Sequence, residues 1–317
     1  MPLPNDEKVV ALANEMIATF DKIFGMHPGS RPAHAKGTLL KGTFTPSAKA
    51  AEITKAEHFS RELPVFVRFS NSTGLPALPD NDAKATPHGM AIRFYLAERR
   101  HTDIVGHSID AFPTHTGEEF LEFLNASIAS PPGTASPTPV EKFIAAHPAT
   151  EKFVKAPKPH PASFANETYF GVLAFKFTNA DGVERYGRYR FVPTAGVKHL
   201  SDDEAKAKGP DFLMSEIVER LKKEKVSFKL MLQLAESGDE HDDATVRWPE
   251  TREMVELGTL DLTGEVEDSA AEQQHIIFDP IPRIDGLEPS ADPLFDLRAA
   301  VYLISGKRRR AAEPAHK

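Results

Sequence analysis

The stretch "LPVFVRFS" from Leu63 to Ser70 constrains the fold of this chain more than any other. At the two-residue period of a strand, Val65, Val67 and Phe69 face one way, while Phe66, Arg68 and Ser70 face the other. The first face is ordinary core. The second puts a guanidinium and a hydroxyl beside an aromatic ring, a mixture that suits the wall of a polar pocket better than a plain core.

Further segments carry the same signal. "GTLLKGTF", "HGMAIRFYL" and "TDIVGHSIDAF" are rich in β-branched and aromatic residues, and "VSFKLMLQLAE" returns to strand later in the chain. "ETYFGVLAFKFTNADGVERYGRYRFVP" predicts a hairpin around the turn Asn179–Gly182. Helical periodicity marks both ends. Val9, Leu12, Ala13, Met16, Phe20, Ile23 and Phe24 predict a helix over 5–25, capped by Asn5 and ended by Gly25. "DPLFDLRAAVYLISGKRRR" predicts another over about 293–306, with Pro293 in its first turn. "TGEEFLEFLNASI" and "DFLMSEIVERLKKEK" are amphipathic, and Ser201–Glu204 is a capping box. With strands concentrated between about 35 and 235 and helices around them, the expected architecture is an antiparallel α+β fold built on a closed barrel, one domain over 1–317.

Composition removes several chemistries. The chain has no cysteine, which excludes disulfides, thiolate catalysis and every Cys-ligated metal or cofactor. Its net charge of -8 disfavours nucleic acid as a partner, and the basic run "GKRRR" has no interleaved aromatics. The N-terminus is acidic with periodic apolar residues, unlike a signal peptide, and no run is apolar enough to span a bilayer. A cytoplasmic protein without a membrane partner is expected.

Two places invite a chemical reading. On the last helix, Leu294, Arg298, Val301, Tyr302, Ser305 and Arg309 share one face, and Arg298 stands four residues before Tyr302. The pair reads either as a core tyrosine with a snorkelling arginine or as a phenolate stabilised by a guanidinium and a metal. In "SRPAHAKGTLLKGTF", His34 is either a structural imidazole or a working base. His115 and Glu119 have helical metal-ligand spacing but lack a third ligand.

Taken together, "RPAHAKG", "VRFSN", "PHGMAIRFY", "DIVGH…F", "FDP…LEPS" and "LRAAVY…RRR" occur in the order and with several of the spacings of the haem catalases. The chain resembles that family from roughly Pro28 to Arg310. In its shortness it is similar to the catalase-related peroxidases, minimal catalase-like haem proteins. The resemblance implies haem b enclosed by an eight-stranded antiparallel β-barrel with helices outside. By position, it makes His34 the distal base and Ser70 the partner of its other ring nitrogen. Tyr302 becomes the iron ligand with Arg298 beside it. Arg31, Arg68 and Arg309 become partners of the haem propionates, and Phe112 and Phe120 pack on or near the distal face. The chain departs from the family at Ala33, where a valine is usual, and at Arg190, where a histidine is usual. It also carries His107 where the family has a distal asparagine that helps hold peroxide. An imidazole there is bulkier and titrates near about pH 6.5. A Trp-Pro pair at Trp248 lies in a region that binds NADPH in some catalases, but does not by itself imply that ligand.

The function so implied is reduction of hydrogen peroxide or organic peroxides by a small organic electron donor, with weak catalase activity. His107 and the missing N-terminal arm both favour the peroxidase path. A homo-oligomer, a dimer, is expected. Two other classes share these features: a hydroperoxide-rearranging haem enzyme of the allene oxide synthase type, and a haem-binding sensor or carrier without turnover. A placed base at His34 argues against the carrier.

Overall fold

The period-two segments become the staves of a barrel. The structure is a computed structural model and describes residues 2–312. Strands β1 (Gly37–Pro46), β2 (Leu63–Ser70), β3 (Gly89–Ala97) and β4 (Arg100–His107) form an antiparallel meander. β5 (Tyr169–Phe170), β6 (Phe175–Thr178), β7 (Glu184–Pro193), β8 (Val226–Leu234), β9 (Met254–Glu265) and β10 (Leu287–Pro289) complete the sheet. The order β7-β5-β4-β3-β2-β1-β9-β8, with β8 paired back to β7, closes eight antiparallel strands into a barrel. β6 and β10 extend the sheet beside β7, and β6–β7 is the expected hairpin.

The sequence reading ended the barrel core near residue 235, and the structure extends it to 265. β9 closes the ring between β1 and β8. Its burial pattern explains the omission. Val255 and Leu257 point inward, but after Gly258 the inward residues are Leu260 and Leu262, so the alternation slips by one residue.

The lumen is packed solid. Phe44, Val67, Phe69, Phe94, Phe191 and Phe228 belong to one contiguous core and are sealed from solvent. That corrects the expectation of a cofactor enclosed by the barrel, because the lumen is filled with side chains. The opposite face of β2, β3 and β4 points outwards, and there Phe66, Ala91 and Val105 pack with Leu39, Val266, Ile276 and Phe278.

The helices are α1 (Glu7–Phe24), α2 (Ala50–Ile53), α3 (Gly117–Ile128), α4 (Pro139–Ala146), α5 (Pro148–Lys155), α6 (Asp202–Lys206), α7 (Phe212–Leu221), α8 (Ser269–His275) and α9 (Leu294–Ala311), and α1, α3, α5 and α9 lie over that outer face. Asp6 rather than Asn5 caps α1, its Oδ1 accepting the Lys8 N–H at 2.8 Å, and Gly25 ends the helix at φ 81°. α9 runs beyond the expected residue 306 to Ala311, which is what brings Arg309 onto a helix. α4 opens with a capping box, Thr138 and Glu141, and Pro139 in its first turn. Ala13 and Met16 of α1, Leu121 of α3 and Leu297 and Ala300 of α9 form a second core. Among the described residues no helix is long and apolar enough to cross a membrane.

Candidate active site

Between the outer face of β2–β4 and the helices α1, α3, α5 and α9 lies a cavity of about 420 Å³. Every residue singled out for the site lines it: His34, Ser70, His107, Arg31, Arg68, Phe112, Phe120, Arg298, Tyr302 and Arg309. These come from segments up to 278 positions apart in sequence.

One wall is set by sheet register. Ser70 pairs with Gly89, and Gly89 pairs with His107, so the three sit side by side on β2, β3 and β4. His34 enters from the loop before β1, in the left-handed backbone region at φ 57°. Its backbone N–H donates to the Ser72 carbonyl at 3.0 Å, and its Nδ1 lies 3.1 Å from Ser70 Oγ. Burial, reinforced by His107, Arg68, Arg298 and Arg31, pushes the imidazole down to about 3. At neutral pH His34 is therefore neutral, the form that accepts a proton. His107 is pushed down to about 4, again chiefly by burial and then by Arg298.

The α9 wall carries the expected pair. Arg298 Nη2 donates to Tyr302 Oη at 3.1 Å, and the guanidinium lies 5.6 Å from the ring centroid. Both side chains line the cavity. Arg190 does not line it. That guanidinium is buried on β7, paired with Asp110 at 2.8 Å, with Gln233, and lying over the Phe170 ring. His115 and Glu119 are no metal pair either. Glu119 closes the capping box of α3, and His115 sits 3.2 Å from Asp243.

At one end three guanidinium groups converge without a carboxylate among the described residues. Arg31 donates to the Gln273 and Ile276 carbonyls at 3.0 and 3.1 Å. Arg309 reaches the same Ile276 carbonyl at 2.7 Å and Ser305 Oγ at 2.9 Å. Arg68 donates to Gln273 Oε1 at 2.9 Å and the Ala35 carbonyl at 3.1 Å. Burial, with repulsion from Arg68 and Arg309, holds Arg31 well below the usual arginine value; burial and Arg309 bring Arg68 down to about 9, and burial and Arg310 bring Arg309 to about 10. Two buried cations, Arg68 and Arg309, and the half-buried Arg31, with only neutral acceptors, require an anionic ligand to offset their desolvation. The remaining wall is apolar, including Met16, Phe20, Phe112, Phe120, Phe123 and Phe153. Phe112 and Phe120 pack at 5.0 Å between centroids. A flat apolar group bearing carboxylates, as haem does, fits this donor set, with Tyr302 as the available oxygen ligand for its metal.

Several contributors escaped the sequence reading. Gly89 is one. A Cβ there would lie 2.7 Å from Ser70 Oγ and 2.9 Å from His34 Nδ1. Phe153 is another, held in the wall because α5 is pinned by Thr150 Oγ1 donating to the Pro113 carbonyl at 2.7 Å. The capping box Thr138–Glu141 is the signal that marks this helical insertion. Gln273, which orients two of the arginines, carries no sequence signal of its own.

Comparison with known proteins gives the same direction. The family profile described as Catalase matches residues 13–315. The chain is 34% identical over 297 residues to a catalase-related peroxidase of Mycolicibacterium paratuberculosis, covering 91% of this chain and 92% of that one. A catalase-related peroxidase of Synechococcus elongatus is likewise 34% identical over 302 residues, covering 93% and 88%. Among solved structures, a fungal catalase superposes with a TM-score of 0.78 at 21% identity, over 93% of this chain and 62% of that one. Catalase A from Saccharomyces cerevisiae gives 0.78 at 20% identity, covering 93% of this chain and 63% of that one.

Proposed function

This chain belongs to the catalase family, and from that premise we propose that it is a haem peroxidase reducing hydrogen peroxide or organic peroxides with small organic electron donors. Weak catalase turnover accompanies that activity. The observation that carries the reading is one cavity wall shared by a neutral, oriented imidazole (His34 on Ser70) and a guanidinium-bonded phenol (Tyr302 with Arg298).

The cofactor is haem, and we assign haem b, because a chain without cysteine cannot form the thioether links of a c-type haem. Bound haem supplies the redox-active iron at which the peroxide O–O bond breaks. Tyr302 would supply the oxygen ligand for that iron, with the Arg298 guanidinium donating a hydrogen bond to the same oxygen. Arg31, Arg68 and Arg309 would pair with the propionate carboxylates. His34 accepts the proton of the incoming peroxide and returns it to the leaving oxygen, a role worth roughly 10²–10⁴ in rate. Ser70 occupies Nδ1, which fixes the ring and leaves the other nitrogen for the proton. The aromatic wall excludes water and accepts an apolar donor or an organic peroxide.

The test is an absorption spectrum of the haem-loaded protein before and after one equivalent of peroxide. A high-spin ferric tyrosinate spectrum that loses Soret intensity, and regains it when a phenolic donor is added, supports the reading. A spectrum unmoved by peroxide would leave a haem-binding protein and remove the peroxidase.

A further inference from the structure

His107 is the cavity-wall side chain that the steps above leave without a task. Its place follows from the cross-strand row Ser70–Gly89–His107, in which directly opposite residues share a face with Cα atoms about 4.5–5.5 Å apart. The ring of His34 covers the middle member, since a Cβ on Gly89 would come within 2.9 Å of its Nδ1. His34 thus lies over the gap left by the glycine, with the Ser70 hydroxyl on one side and His107 on the other. The two imidazoles differ in commitment. Nδ1 of His34 is taken up by Ser70, whereas the His107 ring has no side-chain partner and only the Ile109 backbone beside it. From His107 the chain runs on to Phe112 and Pro113, both in the apolar wall against which an aromatic donor can stack.

We propose that His107 is a second proton-handling catalytic residue: His34 moves the proton of the peroxide, and His107 takes the proton of the electron donor. This deepens the peroxidase reading and rests on it. In the overall reaction a peroxide, ROOH, and two phenol-type donors, ArOH, give ROH, water and two ArO radicals. The single proton of ROOH passes from one oxygen to the other as the O–O bond breaks, and His34 ends neutral, as it began. Each donor then gives up one electron and one proton, and these two electrons and two protons reduce the remaining oxygen to water. A phenol that loses its electron before its proton becomes a very strong acid, so a neutral base beside it lowers the barrier. His107 is such a base. The charged groups near the two rings are cationic: Arg298 of α9 acts on His107, and Arg68, Arg298 and Arg31 act on His34. Burial first, and then Arg298, keep His107 neutral before the transfer and make it release the proton readily afterwards.

The test uses the haem-loaded protein and separates the two half-reactions by stopped-flow absorbance. In His107→Gln, reduction by a phenolic donor should slow at least about tenfold more than the peroxide phase does. Equal slowing of both phases, or none, overturns the proposal. A second readout needs no turnover. Hydrogen cyanide binds as the anion and leaves its proton on a nearby base, so its affinity reports proton acceptors. In His34→Gln the affinity should keep a pH dependence that the double variant His34→Gln/His107→Gln lacks. Identical pH profiles in the two would show that His107 accepts no proton. Failure of the underlying reading is seen separately, as a missing Soret band or as an unchanged peroxide phase in His34→Gln.

Discussion

The imidazole of His34 rests on the bare backbone of Gly89: a Cβ at that position would sit 2.9 Å from Nδ1 and 2.7 Å from the Ser70 hydroxyl that holds the ring. Both distances are below any that a real Cβ tolerates, and neither neighbour is the loose end of a long side chain. Gly89→Ala must therefore break the His34–Ser70 bond. Haem should still bind, while the peroxide phase of the reaction slows by about tenfold to a hundredfold. Stopped-flow absorbance measures it, and a wild-type rate would show that this contact does not set the ring.

The three unpaired guanidinium groups predict a different split between bound and free protein. Arg309→Leu removes a charged partner of the cofactor, a loss of about 1.5–3 kcal/mol or roughly 10- to 100-fold in haem affinity. The haem-free protein should be affected less. The Ile276 carbonyl keeps its bond from Arg31, and one source of repulsion among buried cations disappears. Soret titration and Tm with and without haem give both numbers. A larger loss without haem than with it would make Arg309 a structural residue.

Tyr302→Phe deletes the ligand oxygen but leaves the ring, the apolar wall and the arginine cluster in place. Haem should still be taken up, more weakly, and the ferric spectrum should lose its tyrosinate character together with the response to peroxide. Arg298→Met, which keeps bulk but removes the 3.1 Å hydrogen bond, should fall between this variant and the wild type. An unaltered ferric spectrum in Tyr302→Phe would move the iron ligand elsewhere.

Stability should fall in mild acid because of two buried histidines outside the cavity lining. His58 and His88 are fully buried, with neither ring nitrogen hydrogen-bonded, and burial pushes both down to about 3. In the unfolded chain a histidine titrates near about 6.5, so below that pH the unfolded state binds protons that the folded state refuses. Stability contributed by the neutral rings is thus complete above about pH 7 and declines from about 6.5 towards 3. The two histidines together steepen the decline by about 3 kcal/mol per pH unit. Urea denaturation of the haem-free protein from pH 7.5 to 5 measures the slope, and His58→Leu should remove one proton from it. An unchanged slope in that variant would mean that His58 is protonated in the fold.

Much of this was legible in one dimension. Strict alternation in β2 separated a core face from a pocket face, because a strand's two faces are fixed by sequence parity alone. The spacing of Arg298 and Tyr302 fixed their contact, because four residues make one helical turn. The order of short motifs pointed to the family and to ten of the lining residues. What parity could not reveal was β9, where the alternation slips at Gly258, since a bulge erases the signal that identifies a strand. Nor could it reveal where the cavity lies. Whether Phe69 or Phe66 faces the packed lumen depends on how the sheet closes, and that is decided by the pairing of β7 with β8, more than a hundred residues downstream. Only the tertiary structure brought Arg31, Arg68 and Arg309 to one place, made a single glycine the seat of His34, and took Arg190 away from the site. Each of these is a relation between distant segments, and distance along the chain carries no record of proximity in space.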